Sequence, residues 1–252
     1  MPLHGSFALR SAITRGNLAD EMIALSIIVP TLNEADGVVA HLGALQALRQ
    51  RGGEVIVVDG GSSDATPELA GPLADVVMSS RRGRAAQMNA GASCARGRVL
   101  LFLHADTRLP DGDESFLATM VADDLWAWGR FDVAIEGTHP LLRLVAWSMN
   151  LRSRLTGIAT GDQAIFVRRQ AFATVGGFPD IPLMEDIALS RRLKSLGRPL
   201  CLKQRAITSG RRWEQRGLLR TIVLMWWLRS SFWFGLNPGR LADGYAGGSS
   251  KR

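Results

Sequence analysis

Cysteine and lysine are scarce in this sequence, and both shortages narrow the classes of protein to which it can belong. Cys94 and Cys201 are its only cysteines, and their spacing fits neither a disulfide framework nor a metal site. We expect both to be core thiols in a reducing cytoplasm. Lysine occurs only at positions 194, 203 and 251, so no P-loop Gly-Lys-Ser/Thr motif exists. No Gly-X-Gly-X-X-Gly motif follows a strand either, which excludes a dinucleotide-dependent dehydrogenase.

Long apolar runs are also missing. A transmembrane helix needs about twenty consecutive, mostly apolar residues. Residues 1–22 contain no apolar core of signal-peptide length, and we expect a flexible N-terminal extension there, with Met22 as a candidate start. The most apolar segment, 218–236, is interrupted by Arg220 and Arg229. We therefore expect a main domain over 23–213, followed by an amphipathic helix and a tail over 214–252.

Basic residues outnumber acidic ones. The chain has 30 Lys and Arg against 23 Asp and Glu, which gives a formal net charge of +7. This surplus favours anionic partners, namely nucleotide phosphates, anionic lipid headgroups or nucleic acid. The sequence contains no zinc finger, recognition-helix signature or aromatic-basic RNA motif, so we expect no nucleic-acid partner.

Acidic residues follow the segments that predict buried strands of a parallel sheet, which are 25–29, 54–58 and 99–103. Ligands of open α/β sheets bind beyond the carboxyl ends of such strands. Asp59 follows the second segment, and His104 and Asp106 follow the third. A carboxylate at this edge suits a hard divalent cation that neutralises a phosphate-bearing ligand. The alternative is that each aspartate only caps its own turn.

Helical patterns alternate with the strands. Asn33 is the expected N-cap of a helix that extends to Leu48, and Thr66 with Pro67 marks the start of another. The segment 141–156 predicts an amphipathic helix.

A further helix begins at Glu185 and Asp186 and ends at Gly197. Carboxylates at a helix N-terminus are stabilised in their charged form, so capping alone is the alternative role for this pair.

The chain resembles the family 2 glycosyltransferases, which have the GT-A fold, over about residues 25–200. Five segments in the family's order carry the resemblance: 26–34 (SIIVPTLNE), 57–66 (VVDGGSSDAT), 84–91 (RAAQMNAG), 102–106 (FLHAD) and 184–192 (MEDIALSRR). Within the family, His104-Ala-Asp106 and Arg211-Arg212-Trp213 are similar to small bacterial members associated with radical-SAM and selenium genes and with arsenosugar synthesis. The implied fold is a mostly parallel sheet flanked by helices, with the GT-A domain over 23–213.

The resemblance implies transfer of a sugar from a nucleotide-diphospho sugar to an acceptor hydroxyl of a small or lipid-linked molecule. Asp106 matches the last acid of the family's Asp-X-Asp motif and would ligate Mn²⁺ or Mg²⁺ on the diphosphate. His104 occupies the position of the first acid of that motif. Its two alternative roles are to ligate the metal or to contact the ribose. The other residues implied to bind the nucleotide sugar are Pro30, Glu34, Asp59, Arg84, Arg211 and Arg212.

The same resemblance makes Asp186 the general base for the acceptor hydroxyl, with Glu185 orienting the acceptor or its loop. A base opposite the leaving group implies inversion by single displacement. Asp162 and Gln163 are implied to line the acceptor site, and Trp213 to stack on a sugar. The amphipathic helix predicted over 141–156 is a candidate region for acceptor specificity. No long pore-forming helices exist, so processive polymerisation is not expected.

The segment 218–236 predicts a helix in the membrane interface, with Trp226, Trp227 and Trp233 at headgroup depth and arginines toward anionic lipid. The alternative is packing on the domain or in a homodimer. We expect a cytoplasmic protein, peripheral to the inner face of the membrane in the first case.

Two other functions remain as alternatives. A nucleotidyltransferase uses a similar sheet and metal, but the first loop here is Pro-Thr-Leu-Asn-Glu, and no lysine precedes position 194. A membrane-peripheral module that binds nucleotide sugars without catalysis is consistent with His104 in place of the acid.

Overall fold

The computed structural model describes residues 24–110, 115–122, 125–211, 213 and 217–233. Within these ranges the strands form one mixed sheet in the order β3-β2-β1-β4-β7-β6-β8-β5. The strands are β1 (Leu25–Thr31), β2 (Glu54–Asp59), β3 (Val76–Ser79), β4 (Val99–Phe102), β5 (Thr107–Arg108), β6 (Trp128–Glu136), β7 (Ile165–Arg168) and β8 (Leu200–Ser209). The predicted N-terminal extension, 1–22, lies outside the described residues.

Helices connect and cover the strands. They are α1 (Ala35–Gly43), α2 (Gln46–Gln50), α3 (Thr66–Ala70), α4 (Arg84–Cys94), α5 (Ser115–Ala122), α6 (Leu141–Thr156), α7 (Arg169–Thr174), α8 (Glu185–Leu193) and α9 (Leu218–Trp233). Short 3₁₀ turns occupy Gly71–Leu73, Gly161–Gln163 and Lys194–Leu196. The predicted end of the α8 region at Gly197 is confirmed, since this glycine has φ +137°.

The sheet changes character at β4. Strands β3, β2, β1 and β4 are parallel neighbours, whereas β7 pairs antiparallel with both β4 and β6. Every residue of β1 and β2 is buried, as the uninterrupted apolar segments predict. The predicted α/β class with a mostly parallel sheet is confirmed.

Two hydrophobic cores cover opposite faces of the sheet. One contains Leu42 of α1 and Phe116 of α5. The other contains Met88 of α4 and Leu189 of α8. Helix α4 approaches the sheet closely at Gly91, where a Cβ atom would lie 2.5 Å from Cγ2 of Ile28. The two cores hold the sheet rigid, so that the loops beyond its carboxyl edge have a fixed base.

The predicted helix from residue 35 to Leu48 is two helices, α1 and α2. Gly43 ends the first, because glycine has a low helix propensity, and a turn precedes the second. Asn33 is not the N-cap; Glu34 occupies that position, and Asn33 adopts a left-handed conformation with φ +54°. Asparagine tolerates this conformation because its side chain bonds to nearby backbone.

The prediction that both cysteines are core thiols is wrong. Cys94 is exposed and Cys201 is half-buried. Cys94 is the last residue of α4, whose packed face is formed by Ala85, Met88 and Gly91. Residue type alone did not reveal which face of the helix the thiol occupies.

Helix α9 packs on the domain through one face and exposes another. Leu228 is fully buried and belongs to a cluster with Met184 and Ile187. Trp226 and Trp227 are 71% and 52% exposed. In the described part of the chain, no helix is long and apolar enough to cross a membrane. The amphipathic character predicted for this segment stays a prediction, because apolar residues occupy both faces.

Candidate active site

Two cavities meet at the carboxyl ends of β1 and β4, and Arg84 and His104 line both of them. The smaller cavity has a volume of about 320 Å³ and is lined by residues that follow β1 and β4 and by the start of α4. The larger cavity has a volume of about 600 Å³ and lies among the Gly161–Gln163 turn, the start of α8, and helices α6 and α9. The arrangement joins a polar chamber to a more apolar one.

Hydrogen bonds between the loops after β1 and β2 shape the smaller cavity. The backbone N–H of Asn33 donates to Oγ of Ser62 (2.9 Å), and Oδ1 of Asn33 accepts from the N–H of Ser63 (2.8 Å). The N–H of Glu34 donates to Oγ1 of Thr66 (2.8 Å). These bonds hold Glu34 at the cavity wall, together with Pro30 on β1.

Asp59 lies at the predicted sheet edge, beside Thr31 in the parallel pairing of β1 and β2. Its Oδ2 atom accepts from the N–H groups of Gly61 and Ser62, each at 2.9 Å, and its Oδ1 accepts from the Ser62 hydroxyl. The turn-capping role left open for this residue is therefore observed. Its contact with a nucleotide stays a prediction.

Gln87 is a structural residue of this site that helical periodicity does not reveal. Its Nε2 atom donates to the carbonyl oxygens of Thr31 and Val58, both at 2.8 Å, and so ties the ends of β1 and β2 to α4. The side chain also lines the smaller cavity. The sequence feature that could have identified Gln87 is its position one helical turn into the 84–91 segment.

Like charges are concentrated in the smaller cavity. Burial raises the pKa of Glu34, and the nearby charge of Asp106 raises it further, whereas Arg211 lowers it. A divalent cation relieves such repulsion and needs only one or two protein carboxylates when substrate phosphates supply its other ligands. Among the described residues, no group of three or more His, Cys, Asp or Glu side chains forms a self-sufficient metal site. The carboxylates present therefore fit a cation that is shared with a diphosphate.

His104 separates the two cavities and is 7% exposed. Its imidazole packs directly on Gly161, where a Cβ atom would lie 2.1 Å from Cε1. The backbone N–H of Gly161 in turn donates to Oδ2 of Asp186 at 2.8 Å. Gly161 thus sets the distance between the histidine and the carboxylate.

We expect Gly161→Ala to displace His104 and to lower kcat/KM of the sugar transfer that the sequence resemblance implies by about 10²-fold, the cost of misplacing reacting groups by about 1 Å. Gly37→Ala is the matched control, because a Cβ at Gly37 meets nothing within 4 Å. Steady-state kinetics of both variants measure the effect. Equal kinetics for the two would contradict the role of Gly161.

Glu185 and Asp186 both line the larger cavity, at the start of α8. Oδ2 of Asp186 accepts from Gly161, and Oδ1 accepts from its neighbour Ile187 at 2.7 Å. These two bonds fix the orientation of the carboxylate and leave further lone pairs of its oxygens free to accept from a ligand. Burial, together with the charge of Asp186, raises the pKa of Glu185 to about 7.

The raised pKa of Glu185 makes stability depend on pH. Between about pH 4.5 and 7 the native state binds a proton that the unfolded state releases, so stability falls as pH rises, by up to about 3 kcal/mol in total. Glu185→Gln is expected to flatten the decline of Tm between pH 5 and pH 8. Thermal denaturation across this range measures it, with the exposed Glu68→Gln as control. Unchanged pH dependence in Glu185→Gln would refute this assignment.

Arg84 connects the two cavities electrostatically. Surrounding protein atoms oppose its charge, but the carboxylates of Glu185, Asp162, Asp106 and Asp186 outweigh this effect and raise its pKa. The side chain stays accessible to water because it lines both cavities. A permanent cation between two acidic groups is placed to contact a phosphate.

The remaining predicted site residues divide into three groups. Asp162 and Trp213 line the larger cavity, and Arg211 lies near Glu34 at the smaller one. Gln163 is fully buried and bonds to Thr160 and Asn150, so the structure places it behind the cavity wall. Arg212 lies outside the described residues.

Helices α6 and α9 supply most of the apolar wall of the larger cavity. The α6 residues are those of the segment predicted for acceptor specificity, and they include Leu144 and Met149. The contribution of α9, through Met225, Leu228 and Arg229, was missed, because a terminal apolar segment does not reveal which face packs on the domain.

The chain has recognisable relatives. Residues 26–174 match glycosyl transferase family 2. The chain belongs to this family. A "PGL/p-HBAD biosynthesis glycosyltransferase" from Mycobacterium bovis is 32% identical over 167 residues, which cover 61% of this chain and 62% of that protein. This family 2 chain therefore spans about three fifths of the length of such relatives.

Solved structures share the fold. A mannosyltransferase from Pyrobaculum calidifontis, in complex with GDP-Man and Mn²⁺, has a TM-score of 0.57 at 22% identity and is matched over 73% of this chain and 56% of its own. TarS from S. aureus, in complex with UDP, has a TM-score of 0.60 at 19% identity over 74% of this chain and 60% of its own. These similarities confirm a GT-A-like fold for the family 2 domain.

Proposed function

We propose that this protein is an inverting hexosyltransferase that moves a sugar from a nucleotide-diphospho sugar to an acceptor hydroxyl. The observation that carries the proposal is the pair of cavities joined at Arg84 and His104, one polar and one with paired carboxylates. A donor in the smaller cavity and an acceptor in the larger one would meet at this junction. The GT-A domain is taken as 23–213, followed by the helix and tail over 214–252.

The smaller cavity has the groups that a nucleotide diphosphate needs. Arg84 contacts phosphate oxygens, and Asp106, with Glu34 nearby, would hold Mn²⁺ or Mg²⁺. When bound, such a cation offsets the charge that grows on the departing diphosphate. Two solved structures with a similar fold support this assignment of the smaller cavity. One is a mannosyltransferase in complex with GDP-Man and Mn²⁺, and the other is a mycobacterial synthase in complex with UDP and Mn²⁺.

The larger cavity supplies the base. Asp186 is oriented by hydrogen bonds from two backbone N–H groups and accepts the proton of the acceptor hydroxyl. Glu185 orients the acceptor beside it. Asp186 lines the larger cavity, whereas Asp106 and Glu34 line the smaller one, and this separation supports attack opposite the leaving group, with inversion.

The narrower kinship with small bacterial radical-SAM- and selenium-associated transferases is part of the proposal, on the residues His104, Asp106 and Arg211–Trp213. We also propose that α9 touches the anionic inner face of the membrane. Trp226 and Trp227 are exposed, as is Arg220. Flotation with anionic but not zwitterionic liposomes tests the contact. Absence of flotation would refute the membrane contact. A dimer detected by light scattering would instead favour burial of this face between two copies of the chain.

Calorimetric titration with UDP, GDP and their sugar conjugates, with and without Mn²⁺, tests the main proposal. We expect one nucleotide sugar to bind in a metal-dependent manner, and product analysis by NMR to show inverted anomeric configuration. No binding of any nucleotide would overturn the transferase. Binding without turnover in the presence of alkyl and sugar alcohols would favour the non-catalytic binding module.

A further inference from the structure

The larger cavity contains positive charge that sugar transfer does not use. Its walls from α6 and α9 are mainly apolar and include Leu144, Val145, Met149, Met225 and Leu228. Arg229, also on α9, lines the same space. An apolar chamber with an arginine at its wall suits a molecule that is itself apolar and carries a local negative charge.

Arg152 continues, by helical spacing, the stripe of α6 that lines the cavity. Val145, Ser148 and Met149 line the cavity, and Arg152 follows at the next position of the same helical stripe. Its Nε and Nη2 atoms are shielded from solvent and have no hydrogen-bond partner among the described residues. Unpaired buried donors of a charged group are costly, so an anionic ligand at this guanidinium group would stabilise it.

The neighbouring charges do not supply that ligand. Burial lowers the pKa of Arg152 to about 10, and the charges of Arg229 and Arg130 lower it further. Arg130 is itself paired with Asp132, whose other oxygen accepts from Arg154 at 2.6 Å. Asp132 is therefore already shared between two other arginines.

The negative charge of Asp186 stabilises the positive charges of Arg152 and Arg229 through space. Within the described part of the chain, however, its oxygens accept from the N–H groups of Gly161 and Ile187, and neither oxygen pairs directly with Arg152 or Arg229. Asp162 also acts on Arg229, but it is not among the charges acting on Arg152. Two guanidinium groups from different helices thus repel one another at the cavity, and an anion between them removes this repulsion.

We propose that Arg152 and Arg229 form a phosphate subsite for an amphiphilic acceptor, whose apolar chain lies along the walls of α6 and α9. This inference rests on the proposed function only in identifying the ligand as the acceptor. The subsite itself is defined by the two arginines and the apolar walls. A phosphate monoester carries up to two negative charges, which matches two guanidinium groups that each donate in a fork geometry. The acceptor hydroxyl then reaches Asp186 while the phosphate anchors the molecule.

Titration calorimetry with octyl phosphate, inorganic phosphate, octanoate and 1-octanol tests the subsite, with and without UDP and Mn²⁺. We expect octyl phosphate to bind at least about tenfold more tightly than the other three, because only it combines the double charge with the apolar chain. Equal affinity for octyl phosphate and 1-octanol would overturn the subsite. Octanoate binding as tightly as octyl phosphate would overturn its assignment to phosphate.

The variants Arg152→Met and Arg229→Met locate the binding. Each is expected to weaken octyl phosphate at least about tenfold and to leave 1-octanol unchanged, while Arg229→Lys keeps part of the affinity. Arg143→Met, which removes an exposed arginine of α6 that does not line the cavity, is the control and should bind as the wild type does. An equal loss in Arg143→Met would show non-specific attraction and refute the subsite.

UDP titrations separate this inference from the proposed function. Variants that keep UDP binding but lose octyl phosphate are folded and support the subsite. A wild type that binds octyl phosphate but no nucleotide would overturn the transferase and retain the anion subsite.

Discussion

Asp186→Asn is expected to lower kcat for the proposed sugar transfer by about 10²- to 10⁴-fold, the usual contribution of a general base, and to leave donor binding unchanged. The amide cannot accept the hydroxyl proton. Asp186 does not line the smaller cavity, which contains the residues proposed to bind the donor. We therefore expect the affinity for the nucleotide to stay the same. Single-turnover rates with the donor found by calorimetry measure the chemical step directly.

Asparagine replaces one of the two oxygens that accept from Gly161 and Ile187, so a thermal melt must accompany the kinetics. Asp36→Asn, an exposed carboxylate in the first turn of α1, is the matched control. A folded Asp186→Asn enzyme with wild-type kcat would show that Asp186 is not the base. In that case Glu185, with its pKa near 7, becomes the first residue to test.

Asp106→Ala is the second change with a large expected effect. It removes the carboxylate proposed to hold the cation, so Mn²⁺ should no longer strengthen binding of the donor. We expect kcat to fall by on the order of 10²-fold or more, because charge on the departing diphosphate is no longer offset. The loss of repulsion should also bring the pKa of Glu34 closer to its ordinary value.

Removal of the metal by EDTA provides the internal comparison for this variant. Chelation should reduce the wild type to the level of Asp106→Ala and leave the variant unaffected. The exposed Glu68→Ala serves as a control for loss of one negative charge. If Mn²⁺ still enhanced donor binding in Asp106→Ala, Glu34 or another residue would be the ligand instead.

Local patterns predicted the parts of this protein that depend on neighbours in sequence. The apolar segments at 25–29, 54–58 and 99–103 became β1, β2 and β4, because residues buried on both faces must be apolar. The carboxyl ends of these parallel strands placed Asp59 and Asp106 at one edge. The family motifs predicted the rest of the polar site in the same way.

Contacts between distant residues were not predictable from such patterns. Gln87 ties two strands to α4 through carbonyls that lie 56 and 29 residues away. Gly161 contacts His104 because β7 lies beside β4 in the folded chain. The requirement for a residue without a side chain at position 161 is therefore not visible in the sequence. Gln163 was expected at the acceptor site, yet packing turned its side chain into the interior.

The sequence by itself determined the fold class, the family and the sheet edge that carries the carboxylates, since apolar periodicity and strand direction are local properties. Only the tertiary structure decided that α6 and α9 close a second cavity around Asp186. It alone brought Arg152 and Arg229 together from positions 77 residues apart in the chain. Side-chain burial and charge depend on which surfaces meet, and those surfaces exist only after the helices have packed on the sheet.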